Sequence, residues 1–198
     1  MKNTRKLVIT ALFSALAYIL MLLDFAVPFV IPGFIKFDFA EIPALICAFV
    51  AGPIWGAAVC LIKNAIHLLQ TSTVGAGELS NFLLGVCFVV PAGIIYKKNK
   101  TRIGALIGCI VGALVSAGLS YFINLYVTYP VYMQLFMPEE AILNAYRAIL
   151  PNTKNLSQAI LIFNVPFNAV KYSIDALITF AVYKHLSPIL KGKKAQGK

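Results

Sequence analysis

Residues 103–138 form a stretch of 36 positions without a single charge. One bilayer crossing takes about 20 apolar residues, so a run of this kind must lie in hydrocarbon for most of its course. Residues 7–23 and 42–62 are likewise free of charge. With 60% hydrophobic and 12% charged residues over 198 positions, the chain reads as one helical membrane domain, because a helix satisfies its own backbone where water is absent. The first run has no obvious small-residue cleavage site and is read as a retained span rather than a signal peptide.

The net charge of +10 does not imply nucleic acid, because of where it sits. Lys2, Arg5 and Lys6 form one cluster, Lys97, Lys98, Lys100 and Arg102 a second, and Lys184, Lys191, Lys193, Lys194 and Lys198 a third. Each flanks an apolar run, as the cytoplasmic ends of spans do. If all three share a side, an even number of spans separates each pair. Four spans precede the second cluster only if residues 42–62 divide at Gly52-Pro53, and two follow it only if residues 103–138 are one span with an extension. The expected architecture is all-α: a single domain, residues 1–198, of six transmembrane helices at about 5–26, 40–51, 54–70, 79–96, 103–130 and 158–184, multi-pass in the plasma membrane with both termini cytoplasmic.

The connections differ in character. Pro28, Pro32 and Gly33 break the chain after the first span, yet Phe29, Ile31, Phe34, Ile35 and Phe37 make this loop apolar enough to fold back over something. Asp38 is placed to cap the second helix, with Glu41 three residues on as capping-box partner. Residues 71–78 form a Gly-rich loop ending in Glu78, and Asn81 faces a ligand or a neighbouring helix. Gly104, Gly108, Gly112, Ser116 and Ser120 form a small-residue seam for close helix packing. Beyond it come Tyr121, Asn124, Tyr126, Tyr129 and Tyr132, in part an interfacial aromatic belt, with Asn124 a deeper ligand candidate. Pro138-Glu139-Glu140 opens a short surface helix with acids in its first turn.

The last span carries Asn164, Asn168, Lys171 and Asp175 at i, i+4, i+7 and i+11, one helical face. A polar stripe in hydrocarbon needs a cavity, a ligand or a partner helix. Either Lys171 and Asp175 pair with each other, or the outer half of the stripe lines a polar site. Pro166 within it is expected to kink the helix and free a carbonyl. Lys63 and His67, one turn apart in the third span, either bond within the bundle or meet a ligand. Ala11 and Ala15 form a small-xxx-small pair on the first span, suited to close helix approach.

Several functions lack support. There is no P-loop, no H-E-x-x-H, no G-x-S-x-G and no metal-spaced carboxylate pair. Cys47, Cys60, Cys87 and Cys109 lie apart in apolar runs and read as packing residues, not as a disulfide framework or metal site. The absence of a clear inverted repeat weakens a stand-alone transporter.

Taken together, the six-span plan, Ala11-x-x-x-Ala15, the segment Lys36-Phe37-Asp38-Phe39-Ala40-Glu41-Ile42-Pro43, Gly77-Glu78-Leu79-Ser80-Asn81-Phe82 and Asn164-x-x-Phe167-Asn168-x-x-Lys171 resemble the substrate-binding (S) subunits of energy-coupling-factor (ECF) vitamin importers, and among these the riboflavin-specific group. The resemblance implies a non-enzymatic protein with no catalytic cofactor and no metal. It would bind riboflavin from outside, tolerating the phosphate of FMN, under its first outer loop. Asn168 and Lys171 match the sixth-helix pair that contacts the vitamin, and Asn124 matches a fifth-helix contact. Asn164, Phe34, Ile35, Lys36, Phe37, Asp38, Glu78 and Asn81 complete the expected ligand-binding set. Ala11 and Ala15 would dock a transmembrane coupling subunit that works with two cytosolic ATPases. The alternatives are an S subunit for another small vitamin, a membrane enzyme using Lys63, His67 or Lys171, and a solitary facilitator.

Overall fold

The computed structural model describes residues 3–190, and of residues 184–190 the backbone alone. Lys2, Lys191, Lys193, Lys194 and Lys198 of the basic clusters lie outside the described residues, as do both chain termini. The protein is mostly helical. In order come α1 (Asn3–Met21), a two-stranded ribbon of β1 (Phe25–Ala26) and β2 (Lys36–Phe37), α2 (Glu41–Ala51), α3 (Pro53–His67), α4 (Ala76–Lys98), α5 (Arg102–Leu135), α6 (Glu139–Arg147) and α7 (residues 156–190). A 3₁₀ turn, Leu68–Gln70, extends α3.

Three of these helices, α1, α4 and α5, are long and apolar enough to cross a membrane. The chain does break at Gly52, which adopts φ +114°, and Pro53 opens α3 at a position where its missing N–H costs nothing. The 11 residues of α2 rise only about 16 Å, well short of the hydrocarbon thickness. Ten of them are buried, which explains why the helix is apolar on every side: it is the central element, packed by α1, α3, α4 and α7. The charge-free run forms the single 34-residue helix α5, a span with its extension. The short surface helix α6 begins after Pro138 with Glu139 and Glu140 in its first turn. Thr101 caps α5 by accepting from Gly104 N at 3.0 Å, and Asn155 caps α7 by accepting from Gln158 N at 2.9 Å.

Where α4 meets α5 the small-residue seam works as expected. A Cβ on Gly112 would lie 2.4 Å from the Phe88 carbonyl oxygen, and one on Gly108 2.8 Å from that of Ala92. Ser116 Oγ donates to Leu84 O across the same seam at 2.9 Å. At the end near Lys97 and Arg102, Phe49, Tyr96 and Tyr183 stack, and the Tyr96 and Tyr183 hydroxyls meet at 2.9 Å.

Two local expectations need correction. No capping box forms at α2. Asp38 Oδ1 instead accepts from Ala40 N at 2.8 Å in an Asx turn, and Ala40, not Asp38, flanks the helix. The Glu41 side chain turns away from the cap towards Lys63. The first loop also contains β-structure that its proline content hid: Phe25 pairs with Phe37 and Ala26 with Lys36. A Lys36–Asp24 ion pair at 2.9 Å staples this ribbon shut.

Candidate functional site

At the end of the bundle bearing the ribbon, the Gly-rich loop and α6, the helices spread around a cavity of about 830 Å³, counting space open to solvent. Two π-helical turns shape it. Asn124–Thr128 interrupts α5 one turn before Pro130, and Ile160–Asn164 interrupts α7 just before Pro166. A proline cannot donate to the helical ladder, and the wider turn absorbs the defect. Each π turn carries one of the asparagines singled out in the sequence, Asn124 and Asn164, and both line the cavity. The disturbance expected at Pro166 is therefore an added residue in the preceding turn.

Of the eleven candidate ligand residues, ten border this cavity: Asn168, Lys171, Asn124, Asn164, Phe34, Ile35, Lys36, Asp38, Glu78 and Asn81. Phe37 does not. It packs against Phe25, Phe39 and Phe167 on the far side of the ribbon. Strand alternation explains this, since Lys36 and Phe37 must point to opposite faces. Ala11 and Ala15 lie nowhere near the cavity. They are exposed on α1, whose buried face is Thr10, Ser14, Ala17 and Met21.

The charged groups form a closed ring. Lys171 Nζ lies 2.9 Å from Asp38 Oδ2 and 3.2 Å from Glu41 Oε2. Lys63 Nζ donates to Glu41 Oε1 at 2.5 Å and to Asn81 Oδ1 at 2.8 Å. Asn81 Nδ2 then donates back to Asp38 Oδ2 at 3.2 Å. Lys171 therefore does not pair with Asp175, which is fully buried with neither oxygen hydrogen-bonded among the described residues. Burial alone would raise the Asp38 pKa, but the Lys171 and Lys63 ammonium groups outweigh it and hold this carboxyl well below the usual carboxylate range.

Two further clusters hold the rim. Glu78 accepts from Thr71 Oγ1 at 2.9 Å and Thr73 Oγ1 at 3.2 Å, and His67 Nδ1 is 2.8 Å from its other oxygen. This fastens the turn where Val74 takes φ +55° and Gly75 φ +90°. Nearby, Asn164 Nδ2 donates to Tyr129 OH at 2.9 Å, and its Oδ1 accepts from Tyr146 OH at 2.5 Å. The two hydroxyls also bond each other. Phe34 of the first loop closes over this cluster against Tyr132 and Tyr146.

Of the aromatic group expected to serve in part as an interfacial belt, Tyr129 and Tyr132 do not: they are 1% and 4% exposed and line the cavity. Helical spacing could have found Tyr132, since Asn124, Thr128 and Tyr132 recur every four residues on one face. Tyr126, at 70% exposure, fits the belt. Nothing in local sequence pointed to Tyr146, which α6 delivers to the Tyr129 and Asn164 side chains from behind the cavity wall. Lys63 and His67 both bond within the bundle, and His67 also borders the cavity.

The family of ECF transporter substrate-specific components matches residues 5–183. The chain belongs to this family. It is 27% identical over 191 residues to the riboflavin transporter RibU of Staphylococcus aureus (strain TCH60), covering 96% of this chain and 95% of that protein. It is also 27% identical over 196 residues to the riboflavin transporter FmnP of Bacillus subtilis (strain 168), covering 98% and 97%. A solved S component of a bacterial ECF transporter superposes with a TM-score of 0.75 at 26% identity, over 96% of this chain and 99% of that one.

Proposed function

We propose that this protein is the S component of a riboflavin importer, a binding subunit and not an enzyme. One observation carries the reading: ten of the eleven residues expected to bind the vitamin, scattered from position 34 to 171, border one cavity in a chain similar end to end to two riboflavin transporters. The chemistry suits the ligand. Asn124, Asn164 and Asn168 can donate and accept at a uracil-like edge and at ribityl hydroxyls, and Asn81 and Lys171 donate to a carbonyl or hydroxyl. Phe34 and Ile35 offer apolar cover to the flat ring. Lys36, Asp38 and Glu78 hold the closing loops. Phe37 supports the ribbon from behind.

In this reading the single domain spans the plasma membrane six times with both termini cytoplasmic and the cavity outside. The basic clusters on the inner flanks support that orientation, and burial of short α2 among longer helices lets it count as a crossing despite its length. Riboflavin is cargo, and ATP hydrolysis belongs to two cytosolic ATPases reached through a transmembrane coupling subunit. The exposed Ala11/Ala15 face of α1 is a docking surface where small side chains let a partner helix approach. The test is riboflavin uptake by cells lacking their own importer, with and without the energising module. Uptake should require the module and be abolished by Ala11→Trp with Ala15→Trp, while riboflavin binding by the purified double variant stays intact. Uptake at the normal rate in that variant would refute the docking face, and uptake without the module would favour a facilitator.

A further inference from the structure

The ring around Lys171 has two halves. Lys171, Asp38 and Asn81 border the cavity, whereas Glu41 and Lys63 do not and are each 0% exposed. We infer that Glu41 and Lys63 are positioning residues, which act from behind the wall to set how Lys171 and Asn81 present hydrogen-bond donors to the ligand. The inference rests on the riboflavin-binding reading above.

Lys171 sits on a flexible stem, and one anion alone, Asp38, would leave its ammonium free to swing. Glu41 Oε2, 3.2 Å away, supplies a second anion from the sealed side, an ion pair without an aligned hydrogen bond. An ammonium has three N–H groups. One is donated to Asp38 and none is aligned on Glu41, whose charge draws the ammonium towards the sealed side, so N–H groups remain for the cavity. Glu41 can hold this place because its other oxygen is anchored 2.5 Å from Lys63.

Lys63 does the same for Asn81. An ammonium can only donate, so the Asn81 atom 2.8 Å from Lys63 Nζ must be the amide oxygen. Asn64 Nδ2 approaches the same oxygen at 3.3 Å. The Asn81 amide is thereby turned so that its NH₂ faces Asp38 and the cavity wall, with one N–H beyond that used at Asp38. Two sealed charges thus make two neighbouring wall groups donors, which suits a ligand edge rich in carbonyl oxygens. Gly85 of α4 leaves the room this requires, since a Cβ there would stand 3.2 Å from Glu41 Oε1.

A double-mutant cycle on the purified full-length protein tests this. Riboflavin affinity is measured by quenching of flavin fluorescence, with the thermal midpoint taken alongside, for Glu41→Gln and Gly85→Ala, each in the wild-type and Lys171→Ala backgrounds. Glu41→Gln should weaken binding by about tenfold in the wild type but by less than about twofold once Lys171 is gone. Gly85→Ala, which removes no charge and so keeps the cycle available if Glu41→Gln fails to fold, should show the same pattern at smaller amplitude. Equal losses in both backgrounds, with wild-type binding intact, would mean that the pair merely supports the bundle and would overturn the inference alone. A wild-type protein that ignores riboflavin would overturn the reading of function and this inference with it.

Discussion

The two halves of α7 carry one continuous polar stripe into very different settings. Towards the cavity, Asn164, Asn168 and Lys171 are 3%, 8% and 4% exposed, and all three line open space. Towards the basic end, Asp175, Thr179 and Tyr183 are 0%, 0% and 1% exposed and border no part of that cavity. Burial therefore does not mark the site. The difference lies in what holds the helices apart or lets them close. At the cavity end, π turns before Pro130 and Pro166 widen α5 and α7, and two loops wall the gap. Along the α4–α5 seam, Gly108 and Gly112 bring backbone against backbone. The same helices border an open cavity at one end and pack as a rod at the other.

This contrast makes opposite predictions for substitutions at the two ends. The largest effect belongs to the cavity. Lys171→Ala should weaken riboflavin binding by about 100-fold, the loss expected for a charged hydrogen-bond donor, and Asn168→Ala by about tenfold, for a neutral one. Fluorescence titration measures both, and normal affinity in the two variants would detach the ligand from this cavity. A smaller effect, of the other kind, belongs to the seam. Gly112→Ala puts a methyl group 2.4 Å from a carbonyl oxygen that cannot move aside, and should cost about 2 kcal/mol of stability. It should leave affinity within about twofold when measured below its lowered thermal midpoint. A variant that kept its midpoint yet lost binding would break the division between the two ends.

Much of this division was legible in the sequence. Charge-free runs gave the helices, and the Gly/Ser repeat of α5 gave the seam, because close packing leaves a four-residue signature. The i, i+4, i+7 stripe of α7 gave three of the cavity residues. What stayed hidden depends on contacts distant in sequence. Lys171 has a ready partner one turn along in Asp175, yet its carboxylates are Asp38 and Glu41, more than 120 residues away. Glu41 read as a helix cap because its spacing from Asp38 fits a capping box, but a buried lysine is the stronger partner. Phe37 was taken with its neighbours as loop cover, and only its register in a two-residue strand turns it away from the cavity. Tyr146 could not be placed until α6 was seen to pack against Tyr129 and Asn164.

The central claim is that this cavity binds riboflavin, and a titration of the detergent-purified wild-type protein into riboflavin tests it most directly. The account predicts that flavin fluorescence is quenched stoichiometrically and tightly, with one flavin per chain, or that the protein emerges already yellow with flavin absorption bands. A colourless protein that leaves riboflavin fluorescence unchanged would contradict it. The helical architecture and the family would then stand, but with a different small vitamin in the cavity.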